Sequence, residues 1–210
     1  MKWSLILLFA SVVLAGDGPR LFYSRTFPGS TPAYFDLTVE NNGDTVYREA
    51  VDDELPSKFH LSEAEVKDVF ALADKLDHFK HPLESPLKVA FMGAKVFRYE
   101  QGAEKNEVKY NYTEDLNGQA LQDWFERMAE SAQHRDNLER TAKYDHLGVM
   151  HAVELLASAY ERKRLVAVDQ FLPILDRIAK NETYMHQARA LASEVAEAIR
   201  KTQPASNAQQ

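Results

Sequence analysis

The sequence predicts an α+β protein: an antiparallel sheet of about four to six strands with a packed helix, followed by a C-terminal extension of about three to four helices. Two observations predict this order. Between residues 21 and 112, apolar and polar residues alternate in several segments, which is the period of a half-buried strand. After Thr113, every remaining periodic segment has the 3.6-residue spacing of a helix. The chain is therefore expected to divide into an α+β domain at residues 16–128, a helical extension at 129–201 and a disordered tail at 202–210.

The clearest strand signal is the alternation of Phe35, Leu37 and Val39 with polar residues. Residues 41–44 follow with the sequence Asn-Asn-Gly-Asp, which accepts positive φ, so a hairpin to a strand at residues 45–49 is expected. Further strands are predicted at residues 21–27, 87–100 and 107–112, and in the last of these Val108, Tyr110 and Tyr112 alternate with polar residues.

The first helix is predicted to start at Ser62, because Glu65 three residues later completes a capping box. In the helical extension, Asp169 is predicted to be an N-cap, with Pro173 in the first turn, where a missing N–H costs little. The first helix has an apolar face that is expected to pack on the sheet, and it consists of Val66, Val69, Phe70, Ala73 and Leu76.

The composition excludes several classes of function. The 25 Lys and Arg residues against 32 Asp and Glu residues give a formal net charge of −7, so no overall field attracts nucleic acid or an anionic membrane. The chain has no cysteine, which excludes disulfides and thiolate metal sites. The motifs Gly-x-x-x-x-Gly-Lys, Gly-x-Ser-x-Gly and His-Glu-x-x-His are also missing. We therefore expect no cofactor and no nucleic-acid partner.

Residues 1–15 have the pattern of a secretory signal peptide, in which the basic residue Lys2 precedes an apolar run that ends in small residues. Cleavage is expected between Ala15 and Gly16. The apolar run is shorter than the roughly 20 residues of a membrane span, so no span is expected once the signal peptide is removed. Because an exported eukaryotic domain without cysteine would be unusual, a bacterial periplasmic or secreted location is favoured.

Residues 22–47 contain an Arg-Thr pair, a Gly-x-x-Pro-x-Tyr stretch and the hairpin signal, and a helix and two strands follow. In this order they resemble the opening of a family of small exported bacterial domains of unknown function. The resemblance extends over residues 21–128 and implies an α+β sandwich with no known activity, so it assigns no functional residues. The family often has cysteines where this chain has Ser30 and Thr31, so any disulfide or redox role is lost. The matching positions are Arg25, Thr26, Gly29, Pro32, Tyr34 and Gly43.

The loop after the first predicted strand is a candidate binding surface, because its two prolines keep it out of regular strand pairing. Together with the start of the next strand, it supplies the candidate binding residues Pro28, Gly29, Ser30, Thr31, Pro32 and Tyr34. Tyrosines on the predicted strands offer a second possibility, a sheet face that binds peptide or glycan, although packing is the favoured interpretation. They are Tyr23, Tyr34, Tyr47, Tyr99, Tyr110 and Tyr112.

The densest cluster of ionisable residues lies at the end of the capped helix. Asp74 and His78 are four residues apart and His81 is nearby, so a metal site with imidazole and carboxylate ligands is conceivable. The simpler interpretation is a solvated helix end, where the two histidines lie near the C-terminal carbonyls. Elsewhere, His134 is expected at an exposed helix position, and His151 is expected to be partly buried against a neighbouring helix.

These patterns predict an exported, non-enzymatic module that binds a protein or peptide through the sheet face, the loop at residues 27–32 or the C-terminal helices. An alternative is a metal-dependent hydrolase or metal-binding protein that uses the cluster near residues 74–84. A third hypothesis is a structural role in which the helices mediate self-association.

Overall fold

The computed structural model describes residues 18–202 and confirms the α+β fold. The described part contains a six-stranded antiparallel sheet and five α-helices, of which the later ones form a C-terminal helical region. The predicted signal peptide and, from residue 203, the predicted tail lie outside the described residues. In chain order the elements are β1 (Arg20–Thr26), β2 (Tyr34–Glu40), β3 (Asp44–Arg48), β4 (Ser57–His60), α1 (Glu63–Lys75), β5 (Ala94–Gln101), β6 (Glu104–Tyr110), α2 (Leu116–Tyr144), α3 (Val149–Glu161), α4 (Leu172–Lys180) and α5 (His186–Thr202).

The sheet has the strand order β4-β3-β2-β1-β5-β6, so β1 is central and pairs with β2 and β5. Alternation along the strands directs one set of side chains to the helix-covered face, where Tyr23, Leu37 and Phe97 are fully buried. The other face is more polar, and there the Arg98 guanidinium lies over the ring of Phe22 at 4.5 Å. The strand period in the sequence therefore separates the core from the surface.

Three strand assignments differ from the structure. β6 spans Glu104–Tyr110, whereas a strand at residues 107–112 was expected. β5 is shorter than predicted, because residues 87–93 form an irregular segment. The Lys95 ammonium group donates hydrogen bonds to the backbone carbonyls of Met92 and Gly93, so these carbonyls are satisfied without a neighbouring strand. β4 was not predicted, because it has four residues of which only Phe59 is buried, too short a segment to display an alternation.

Helix α1 has the predicted capping box. The Ser62 hydroxyl accepts a hydrogen bond from the Glu65 N–H, and the Glu65 carboxylate accepts one from the Ser62 N–H. Val69 and Ala73 are fully buried in the core beneath the sheet. The helix ends just before Asp77–Phe79, where three consecutive residues have left-handed φ values of 47°, 51° and 65°.

Helix α2 has 29 residues and crosses the sheet near one end of its strands. It is continuous through residue 128, where the sequence suggested a domain boundary; that boundary stays a prediction. The helix contacts all six strands, from one edge of the sheet to the other. Its hydrogen bonds join Gln122 to Tyr110 on β6, Gln133 to Tyr47 on β3 and Asp136 to Ser57 on β4. Between these, the ring of Phe125 packs against Phe97 on β5 and Tyr23 on β1, and Ala129 lines a cavity together with Phe35 of β2.

The C-terminal helices bury a second apolar cluster, which includes Leu138 of α2, Leu156 of α3 and Ile199 of α5. The prediction that Asp169 is an N-cap is wrong. Residues 168–171 form a 3-10 turn instead, closed by a hydrogen bond from the Gln170 N–H to the Ala167 carbonyl, and α4 begins after that turn. Pro173 does lie in the first turn of α4, as expected.

Candidate functional site

Four connecting segments meet at one end of the sheet, which we call the loop end. They are residues 27–33, 49–56, 87–93 and 111–115. The antiparallel strand order places them together, because β1, β3 and β6 finish there and β2, β4 and β5 start there. The loop end therefore contains the predicted binding loop.

The loop at residues 27–33 is closed by its own hydrogen bonds. The Phe27 N–H donates to the Ala33 carbonyl at 2.8 Å. The Ser30 hydroxyl lies 2.8 Å from the Phe27 carbonyl and 2.7 Å from the Pro32 carbonyl. Gly29 has a φ of 89°, a left-handed conformation that glycine adopts without a steric penalty. The two prolines predict an irregular loop, and the structure shows that the loop is also internally fixed.

The six predicted binding residues do not form one surface. Pro28 and Gly29 are exposed at the tip of the loop. Thr31 and Pro32 instead line a cavity beside α2. The Tyr34 hydroxyl donates to the buried carboxylate of Asp36 at 2.9 Å, away from α2 on the opposite face of the sheet.

An apolar surface lies next to this loop and was missed by sequence reasoning. The rings of Phe27 and Phe91 meet edge to face at 6.0 Å, and their residues are 36% and 57% exposed. The sequence signal there, an apolar run near residue 90, predicts part of a strand and not an exposed surface. The exposed large side chains of these two segments define the apolar surface: Phe27, Leu87, Val89, Phe91 and Met92.

Polar contacts hold the segment that carries most of the apolar surface. Lys95, which is only 4% exposed, donates to the Met92 carbonyl at 3.1 Å and to the Asn111 carbonyl at 2.7 Å. The Asn111 side-chain amide donates to the Ala90 carbonyl at 3.0 Å. At the other end of the segment, the Ser85 N–H donates to the Tyr112 carbonyl at 2.8 Å. The apolar side chains are thus presented by a tethered backbone.

Two cavities lie on the other side of the binding loop, between the strand ends and α2. One has a volume of about 230 Å³, and Arg25 and Glu126 are among the residues that line it. Its neighbour has a volume of about 470 Å³ and is lined by Tyr47 among others. Thr31 and Gln133 line both cavities, so the two adjoin.

The larger cavity has a fixed polar wall. Gln133 donates to the Tyr47 hydroxyl at 2.7 Å, and that hydroxyl donates to Glu49 at 2.8 Å. Burial raises the pKa of Tyr47, so the hydroxyl stays protonated and acts as a donor. Ser57 donates to Asp136 on the same wall. These groups satisfy one another, which orients α2 against β3 and β4.

The candidate metal ligands do not converge. His78 Nε2 lies 2.8 Å from Asp74, whereas His81 Nε2 lies 3.2 Å from Asp77. The imidazole of His78 also stacks on the ring of Tyr99, with centroids 4.0 Å apart. Across residues 18–202, no group of three His, Asp or Glu side chains is arranged to hold a metal ion. The arrangement is that of two separate His–Asp contacts near the end of a helix.

Two histidine predictions are wrong. His134 is not exposed: burial lowers its pKa, and it lies 3.9 Å from Glu130 one turn earlier on α2. His151 is not partly buried, because its side chain is 74% exposed. The strand tyrosines mostly pack, as favoured, since Tyr23, Tyr47, Tyr99 and Tyr110 are buried. Tyr34 is half-buried. Tyr112 is also half-buried, but it lies beyond the end of β6 and not in a strand as predicted.

Comparison with models of known protein families gives no match, and comparison with curated proteins gives none either. Within residues 18–202, no helix combines the length and the apolar character needed to cross a bilayer.

Proposed function

We propose that the protein is an exported module that binds another protein through the apolar surface at the loop end. The exposure of Phe27, Leu87, Val89, Phe91 and Met92 carries this proposal. Apolar side chains clustered on a surface are typical of interaction sites, because their hydration is released when a partner covers them. The export part of the proposal rests on the signal-peptide pattern of residues 1–15.

The backbone that carries the apolar surface supports this proposal. Lys95 and Asn111 fix the carbonyls of Ala90 and Met92, and Ser30 fixes the neighbouring loop. A surface that is ordered before binding loses less conformational entropy when a partner docks. The partner segment that fits this chemistry is a stretch of apolar side chains.

The test is a selection of displayed random peptides on the purified protein, followed by affinity measurements on Phe91→Ser. The matched control is Leu147→Ser, since Leu147 is 83% exposed and lies between α2 and α3, outside the loop end. We expect enriched apolar peptides whose affinity falls about tenfold or more in Phe91→Ser, the cost of one desolvated anchor side chain. Leu147→Ser should bind like the wild type.

Two outcomes would contradict the proposal. One is a peptide set that binds both variants equally well. The other is a concentration-dependent dimer, measured by light scattering, that Phe91→Ser dissociates, because the apolar surface would then be covered by a second copy of this chain.

A further inference from the structure

Two cationic side chains lie opposite each other beneath α2. Arg25 on β1 is the direct cross-strand neighbour of Lys95 on β5, and both lie on the helix-covered face. Like charges in directly opposite positions repel, and the repulsion is stronger away from water. Glu126 of α2 is the carboxylate nearest to this pair, and its oxygen lies 3.9 Å from Arg25. In the described part of the chain, no carboxylate lies within 4 Å of the Lys95 ammonium group.

Lys95 and Arg25 differ in how well their N–H groups are satisfied. The Lys95 ammonium group has three backbone carbonyls as acceptors. The Arg25 guanidinium lies 4.9 Å over the ring of Phe35, and its buried Nε has no hydrogen-bond partner within residues 18–202. Within residues 18–202 the Arg25 guanidinium donates no hydrogen bond, and its terminal nitrogen lies 3.9 Å from the nearest carboxylate oxygen, so its terminal N–H groups are free to donate to an anion.

Arg25 lines the smaller cavity at the loop end, whose volume is about 230 Å³. Arg164 lies in the same wall, but it is neutralised by Glu130 at 2.9 Å and by Asp123 at 2.6 Å. Arg25 has only the longer contact with Glu126. The cavity therefore combines a half-buried guanidinium, a loosely placed counter-ion and room for a small organic group.

We propose that this cavity binds a carboxylate group, with Arg25 as the residue that holds it. A guanidinium presents parallel N–H donors that match the two oxygens of a carboxylate. Thr31, Pro32 and Gln133 also line the cavity. Its second carboxylate, Glu130, is paired with Arg164 at 2.9 Å. The carboxylate belongs either to a free organic acid or to the C-terminus of a peptide. This site is independent of the apolar surface and goes beyond the function proposed above.

The first experiment is titration calorimetry with acetate, with trialanine and with trialanine amide. We expect the carboxylate probes to bind and the amide to give no heat. Tighter binding of trialanine than of acetate identifies a peptide C-terminus as the source of the carboxylate, and similar affinities identify a small organic acid. Absence of binding by both carboxylate probes, or equal binding of the amide, overturns the proposal.

Two variants with opposite expected effects separate binding from a merely structural role. Arg25→Gln should weaken carboxylate binding by about tenfold or more, as expected for loss of a charge-assisted hydrogen bond. Glu126→Gln removes the competing carboxylate and should tighten binding several-fold. Arg162→Gln, which removes an exposed guanidinium near the end of α3, should leave affinity unchanged. If Arg25→Gln fails to fold, an unchanged or weaker affinity of Glu126→Gln overturns the proposal.

Discussion

The carboxylate of Glu65 joins the two halves of the chain by accepting a hydrogen bond from the backbone N–H of Ala167 at 2.8 Å. The other oxygen of the same carboxylate accepts from the Ser62 N–H, also at 2.8 Å. One side chain thus caps α1 and anchors the segment between α3 and α4. That segment returns to the sheet, because Val166 and Ala167 are buried in the cluster beneath it. Ala167 has a φ of 47°, which is costly for alanine and is held by these contacts.

Glu65→Ala should lower the free energy of unfolding by about 1–3 kcal/mol, because two backbone N–H groups lose their acceptor. Urea denaturation followed by circular dichroism measures the change. Glu63→Ala is the matched control, since Glu63 lies exposed in the same first turn. Equal effects of the two substitutions would show that the contact with Ala167 contributes nothing to stability.

Gly43→Ala should destabilise the protein more than Gly102→Ala. Both glycines have positive φ, at 95° and 55°, so both substitutions strain the backbone. A Cβ at Gly43 would lie 2.6 Å from the Leu61 carbonyl oxygen, whereas a Cβ at Gly102 meets no atom of the described chain within 4 Å. Gly102→Ala should cost about 1 kcal/mol and Gly43→Ala clearly more, as measured by urea midpoints. Similar midpoints would mean that the β2–β3 hairpin relaxes around the new methyl group.

His134 should make stability depend on pH. Burial lowers its pKa below the ordinary value of 6.5, with Glu130 opposing the shift and Arg162 adding to it. Between the lowered folded pKa and 6.5, the unfolded chain binds more protons than the folded one, so stability falls as the pH drops through that window. His134→Gln should reduce this slope.

The control for this prediction is His151→Gln, because the His151 side chain is exposed. The free energy of unfolding is measured between pH 7 and pH 5 for all three proteins. A slope that persists unchanged in His134→Gln would assign the pH dependence to other groups.

His78→Ala and His81→Ala should differ, although the sequence presents both as histidines of one helix end. His78 stacks on Tyr99 and bonds to Asp74, so we expect a loss of about 1 kcal/mol. His81 is 77% exposed, and its removal should change stability by less than about 0.5 kcal/mol. Thermal denaturation of the single variants measures both values, and equal losses would contradict the stacking argument.

The sequence determined the elements whose signals are local. The alternation at Phe35, Leu37 and Val39, the turn at Gly43 and the Ser62–Glu65 capping box all act within a few residues, so their positions could be predicted. The fold class followed from the order of these signals. The export signal, the family resemblance and the domain boundary are predictions that rest on sequence alone.

Only the tertiary structure showed which side chains form the candidate sites. The run at residues 87–93 has the composition of a strand, but Lys95 and Asn111, which follow it in the chain, bind its carbonyls and leave its side chains exposed. Likewise, Arg25 and Glu126 are about a hundred residues apart and meet because α2 crosses the strand ends. The exposure of a side chain and the balance of charge around it depend on residues that folding brings together, and local patterns carry no information about those partners.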